Sequence, residues 1–294
     1  MSAQRRTSVI TRKGFARAVA AAAVGTLAIG LSACAGTPAD QSGDNNTAQS
    51  DTVTPGKLTI ATGEPAYYPW VIDDDPESGE GFESAVAWAV ADELGYDDED
   101  VVWVRSTFEE SIAPGPKDFD INLQQFSITE ERAEAVDFSS PYYETTQVVI
   151  SVEGSPAADV DSLDDLTGLL VGAQTGTTSL SLLEDTVELT EGAQVFSTND
   201  DAKLALQSGT VDAIVVDLPT AFYLTGVELD GGVIVGQLPP DESAAGDQFG
   251  FVLEKDSPLT ADVTAAVDEL RADGTLDALA KEWLAEAGDA PVLQ

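Results

Sequence analysis

Histidine is absent from the 294-residue chain, and cysteine occurs once, at Cys34. One cysteine cannot form a disulfide within the chain. Without histidine, neither a Cys/His zinc site nor a Ser-His-Asp triad can be assembled, and no metal or cofactor site is expected. Positive charge is nearly as scarce, with 13 Lys and Arg against 53 Asp and Glu and a formal net charge of −40. Five of the 13 (Arg5, Arg6, Arg12, Lys13 and Arg17) fall in the first 33 residues, which hold no acidic side chain; the remainder carries 8 basic against 53 acidic groups, a formal −45. A chain so short of cationic surface lacks the footprint that phosphates require, which excludes nucleic-acid binding. The acidity itself reads as general surface solvation. Only three arginines lie beyond residue 33: Arg105, Arg132 and Arg271. No apolar run is long enough to span a membrane convincingly; the one from Ala18 to Leu31 is too short and too rich in alanine.

The chain divides by composition. Residues 1–33 have a basic start, the apolar run and then small residues, the pattern of an export signal. They end in Leu31-Ser32-Ala33-Cys34, which matches the lipobox of bacterial lipoproteins and would leave Cys34 as a lipid-bearing N-terminus; the plainer alternative is a secretory signal with an incidental cysteine. Arg5-Arg6 lacks the apolar context of a twin-arginine signal. Residues 34–56 are Gly, Thr, Asp, Asn, Gln and Ser with almost nothing large and apolar, a flexible tether. From Lys57, strand-like and helix-like stretches alternate, predicting an α/β fold. Strands are expected at 57–62, 101–104, 169–173 and 249–253, and a turn leading into a buried strand over 207–217. Helices are expected from Phe82 to a stop at Gly95, over 201–206, up to Gly274, and over 276–284. A weak echo between the strands at Asp120 and Asp212 suggests two lobes built alike.

One stretch concentrates the chemistry. In Phe119–Ile150, Ile121 and Leu123 alternate with Asn122 and Gln124 as in a half-buried strand, and Ser127 or Thr129 can cap a short helix holding Glu130, Glu131 and Arg132. A capped turn and a guanidinium fork together suit a carboxylate. Further on, Gln174-Thr175-Gly176-Thr177-Thr178 follows a strand and opens a helix, a second set of N–H groups for an anion.

Phe126-Ser127-Ile128-Thr129-Glu130-Glu131-Arg132, followed by Asp137-Phe138-Ser139-Ser140-Pro141-Tyr142-Tyr143, resembles the family 3 (polar amino acid) solute-binding proteins of ABC transporters. The resemblance continues over nearly the whole chain from Lys57, through Tyr67-Tyr68-Pro69-Trp70, Gln207–Asp217 and Arg271-Ala272-Asp273-Gly274-Thr275 to Trp283. It implies a two-lobed periplasmic-binding-protein fold of type II, a hinged flytrap, with lobe 1 at 57–146 and 246–294 and lobe 2 at 147–245. The lobes are joined near Thr145–Val149 and again near Ala244–Gln248. Two departures stand out. Pro114 and Pro116 replace a helix end with a rigid turn, and Gln124-Gln125 stands where many members carry small hydroxyl residues.

The resemblance also implies roles. Arg132 would hold a ligand α-carboxylate, with the Thr177 hydroxyl and the N–H groups at Gly176–Thr178. Asp217 would take the α-ammonium, helped by Ser127. Tyr67 or Trp70 would wall the ligand while the other packs, Gln125 would help set selectivity, and Glu64 would face a cationic side chain. Each residue also has a plainer reading. Arg132 could pair with Glu130 or Asp137, Asp217 could cap a strand end, Thr177 and Thr178 could cap a helix, and Glu64 could be a solvated loop carboxylate. The implied function is capture of an amino acid or close analogue, and its delivery by a lipid-anchored monomer outside the cell to a permease and its ATPase. Two alternatives stay open. One is a dehydratase on the same fold, for which Glu64 is the candidate carboxylate; the other is a ligand-sensing subunit of a membrane receptor.

Overall fold

The computed structural model describes residues 52–239, 247–284 and 290–294, all within one compact unit. The expected signal sequence, Cys34 and most of the expected tether lie outside them. No described helix is long and apolar enough to cross a membrane.

Two five-stranded sheets form the cores of two lobes. In lobe 1 the order is β2 (Val101–Arg105), β1 (Leu58–Thr62), β3 (Ile121–Asn122), β12 (Val252–Glu254) and β4 (Val136–Phe138). Strand β1 runs parallel to β2 and β3, whereas β12 is antiparallel to β3 and β4. Lobe 2 orders β10 (Gly232–Gln237), β6 (Gln147–Val152), β9 (Ala213–Asp217), β7 (Val171–Gln174) and β8 (Gln194–Phe196). The central strands are apolar on both faces because helices cover both faces. On β6, Val148 and Ile150 join one core and Val149 the other; on β9, Ile214 and Val216 alternate in the same way with Ala213 and Val215. Between the lobes, β5 (Tyr143–Thr145) pairs antiparallel with β11 (Asp247–Phe249), a two-stranded ribbon that carries the chain across.

Helix α1 (Phe82–Glu93) packs with α8 (Thr260–Ala272) and α9 (Thr275–Trp283) on lobe 1. Its first N–H groups have no partner within the helix, and Phe82 N and Glu83 N donate instead to the carbonyls of Pro69 (3.0 Å) and Trp70 (2.9 Å). This approach is open only to glycine at position 81, where φ is 102° and a Cβ would lie 2.5 Å from the Trp70 carbonyl oxygen. The echo between the lobes has a structural basis. Asp120 accepts from Thr59 N (2.7 Å) and Val53 N (2.7 Å) at the start of β1, and Asp212 accepts from Leu170 N (2.8 Å) just before β7.

Several expectations are corrected. The stretch expected as one strand over 249–253 is broken at Gly250, where the chain leaves the ribbon for lobe 1; a Cβ there would meet the Ile128 side chain at 2.9 Å. The tether ends earlier than residue 56, because Thr52 is buried and Val53 is tied to Asp120. The C-terminus does not stay with lobe 1. Leu293 is buried in the lobe 2 core, Val292 bridges to Gln237, and the Gln294 carbonyl accepts from Leu163 N (3.1 Å). At Pro114 and Pro116 the helix α2 (Phe108–Ile112) ends before the prolines, as expected, with Lys117 Nζ donating to the Glu110 carbonyl (2.9 Å).

Candidate functional site

The lobes meet across a cleft. One cavity in it, of about 70 Å³, is lined from lobe 1 by Tyr67, Gln124, Gln125, Ser127 and Arg132, and from lobe 2 by Thr177, Thr178, Ser179 and Asp217. A wider cavity of about 280 Å³ adjoins it and shares Pro65, Ala66, Tyr67, Gln125 and Asn199 with it.

Thr129 caps α3 (Glu130–Ala135), its hydroxyl accepting from Arg132 N (3.1 Å). This fixes the start of the Arg132 side chain, whose guanidinium lies 5.4 Å from the Phe108 ring centre and spans the cleft. One nitrogen donates to the Ser127 carbonyl (2.7 Å) and another to the Gly176 carbonyl of lobe 2 (2.8 Å). Among the described residues Arg132 forms no ion pair, and Asp137 is paired instead with Lys255 (3.1 Å). Burial pulls the Arg132 pKa below its usual value, opposed by the charges of Asp247 and Glu131.

On the opposite wall, Asp217 ends β9 and caps α7 (Leu218–Tyr223), accepting from Thr220 N (3.1 Å) and Thr220 Oγ1 (3.0 Å). It is buried and has no cationic partner among the described residues, and burial pushes its pKa up to about 6. Both readings of Asp217, helix cap and cleft carboxylate, thus hold at once. The Ser127 and Thr178 hydroxyls meet at 3.1 Å across the cleft, and the Tyr68 and Tyr223 rings stack at 4.3 Å.

Three of the anticipated site residues sit elsewhere. Trp70 is fully buried, T-packed against Phe82, Tyr143 and Phe249, and only its indole N–H reaches lobe 2, at Thr220 Oγ1 (3.0 Å). Tyr67 is the aromatic that lines the cavity. Glu64 is exposed and lies outside the lining, since the chain carries it out of the cleft before Pro65. Gly176 offers Arg132 its carbonyl, and the Thr177 hydroxyl is occupied in capping α5 (Thr178–Thr186): it accepts from Leu180 N (3.2 Å) and donates to the Gln174 carbonyl (2.7 Å).

The chain matches the model of the bacterial extracellular solute-binding proteins, family 3, over residues 58–286. It belongs to this family. A probable histidine-binding protein of Campylobacter jejuni is 28% identical over 242 residues, covering 81% of this chain and 89% of the relative. An L-arginine-binding protein of Pseudomonas aeruginosa is 30% identical over 219 residues, covering 72% and 82%. Among solved structures, an ancestral arginine-binding protein bound to glutamine is 31% identical with a TM-score of 0.66, covering 79% of this chain and all of that one. The two-lobed fold is the one the family shares.

Sequence reasoning missed two acidic residues at this family 3 site. Asp247, on the connecting ribbon, accepts from Thr178 Oγ1 (2.7 Å) and from the Gln147 amide. Glu83 is 1% exposed and accepts from Tyr142 Oη and Gln125. A signal for Glu83 was present, because Phe82–Ala91 is apolar nearly all round, so a carboxylate inside it has to be buried.

These buried acids predict a pH dependence of stability. Burial raises Glu83 to about 7 and Asp217 to about 6, and it raises Asp120 as well. Between the ordinary carboxylate value and these raised ones, the folded chain holds more protons than the unfolded chain, so stability falls as pH rises from about 4 to about 7. Urea unfolding at a series of pH values should show that fall, and Glu83→Gln should flatten its upper part. An equal slope in the variant would refute the assignment.

Proposed function

We propose that this family 3 protein captures an amino acid, or a close analogue, between its lobes and presents it to the permease of an ABC transporter. The α-carboxylate docks on Arg132 and the Thr178 side of the cleft. The α-ammonium docks on Asp217. The observation that carries the reading is a pair of opposed charges across the cleft: among the described residues the Arg132 guanidinium forms no ion pair on one lobe, and the buried Asp217 carboxylate has no cationic partner on the other. A zwitterion supplies both missing partners, and each charged hydrogen bond in a desolvated site is worth about 1.5–3 kcal/mol. Relatives named as binding proteins for arginine, cystine, glutamine and glutamate, with the probable histidine-binding protein, support an amino acid as the ligand class. The ligand touches both lobes, so it favours the closed arrangement by its differential affinity. The Leu31-Ser32-Ala33-Cys34 lipobox supports a lipid anchor on Cys34 at the outer face of the membrane, and the acid–base pair of the cleft serves binding without a catalytic step.

Thermal unfolding with L-histidine, L-arginine, L-glutamine, L-glutamate, L-cystine and the other standard amino acids tests this. A ligand at a hundred times its Kd adds about 2.7 kcal/mol of stability. At least one of them should raise the midpoint. If none does, the zwitterion reading fails.

A further inference from the structure

Glu83 has no place in the reading so far, yet it is built into the cleft wall from behind. One of its carboxylate oxygens accepts from Tyr142 Oη and from Gln125 N (2.7 Å), and the other accepts from the Gln125 side-chain amide. Three donors therefore meet one carboxylate, and no cation joins them among the described residues. Gln125 sits at φ 53°, a left-handed conformation that residues other than glycine rarely adopt. It also lines both cavities, the smaller one with Arg132 and Asp217 and the wider one with Tyr68 and Tyr223. Gln125 thus stands at the waist between the end of the cleft that reads the α-groups and the space left for a ligand side chain. Glu83 grips its main chain and its side chain together.

We infer that Glu83 is a positioning residue for ligand selection: ionised, it clamps Gln125 at the waist of the cleft, and neutralised, it lets Gln125 go and weakens capture. The inference rests on the amino-acid reading above. An ionised carboxylate accepts all three hydrogen bonds as a charged acceptor; a protonated one must donate, only Tyr142 Oη can receive that hydrogen, and the neutral group then grips the two N–H groups of Gln125 more weakly. The titratable groups facing Glu83 are Tyr142, just before β5, and Asp217, at the end of β9. Burial lifts the Glu83 carboxyl to about 7, with Asp217 adding in the same direction. A ligand ammonium at Asp217 offsets that negative charge and favours ionised Glu83, so binding expels its proton. Affinity then rises with pH through about 7, by at most about tenfold per pH unit for one proton.

The test is calorimetric titration of L-histidine, L-arginine, L-glutamine, L-glutamate and L-cystine at about pH 6 and about pH 8, on the wild type and on Glu83→Gln. The wild type should bind its preferred amino acid several-fold more tightly at the higher pH. Glu83→Gln, once shown to be folded by circular dichroism, should keep only the part of that difference that Asp217 contributes as it ionises from about 6, and should rank the five probes differently. A pH difference and ranking equal to those of the wild type would overturn the assignment. Hydrogen exchange of the Gln125 amide in the ligand-free chain, corrected for the intrinsic rate, separates this from failure of the amino-acid reading. Protection should rise with pH in the wild type and stay flat in Glu83→Gln. If protection is the same in both, the clamp is absent whatever the ligand.

Discussion

Arg132→Ala should lower the affinity for the captured amino acid by at least about a hundredfold. Arg132 forms no ion pair with a described residue, and its guanidinium donates to two main-chain carbonyls, one on each lobe. Its charge is therefore available to a ligand carboxylate. Losing two charged hydrogen bonds of about 1.5–3 kcal/mol each removes about 3–6 kcal/mol, and every 1.4 kcal/mol is tenfold. The same substitution removes the link to Gly176, so the closed arrangement weakens with the contact. Arg132→Lys should recover little, because an ammonium keeps the charge without the fork that matches a carboxylate. Titration calorimetry measures both variants. A loss of less than about tenfold in the alanine variant would mean that the carboxylate docks elsewhere.

Trp70→Ala should cost about 3–5 kcal/mol of unfolding free energy, the range for removing a buried aromatic. Trp70 is completely buried, and its ring lies among Phe82, Tyr143 and Phe249 at centroid distances of 6.0, 5.9 and 5.7 Å. Its carbonyl also receives Glu83 N (2.9 Å) and Ser84 N (3.3 Å) of α1, which places Glu83. The indole N–H adds a link to Thr220 on the other lobe, and Thr220 in turn donates to Asp217. Trp70→Phe keeps most of the packing and breaks only that link. It should cost about 1 kcal/mol in stability, the net worth of an ordinary hydrogen bond. Denaturant unfolding reads both values. A cost for Trp70→Ala near that of Trp70→Phe would show that the pocket collapses around the loss.

Much of the fold was legible because the periodicities are strong. The strands at 58–62, 101–105 and 213–217, the helix from Phe82 to Glu93, and the stop at Gly95, whose φ is 81°, follow directly from spacing and turn chemistry. The loop of Arg132 was legible for the same reason, since Thr129 caps its helix locally. What could not be read depends on contacts far apart in sequence. No local pattern says that Leu293 crosses back to the core of lobe 2, or that Asp247 reaches Thr178 across 69 residues. Tyr67 and Trp70 look interchangeable in sequence; packing against Phe82 of α1 takes Trp70 into the core, and Tyr67 is left lining the cleft. Glu83 was overlooked because an acidic residue in an acidic chain reads as surface, while its apolar neighbours argued the opposite.

Titration of the amino acid that stabilises the chain most, beside its amide and its N-acetyl derivative, tests the account at its centre. The amide removes the charge meant for Arg132, and the acetyl group removes the charge meant for Asp217. The account predicts that each derivative binds at least about a hundredfold more weakly than the free amino acid. Derivatives that bind within a few-fold of the free amino acid would contradict it, because the cleft would then be reading neither charge.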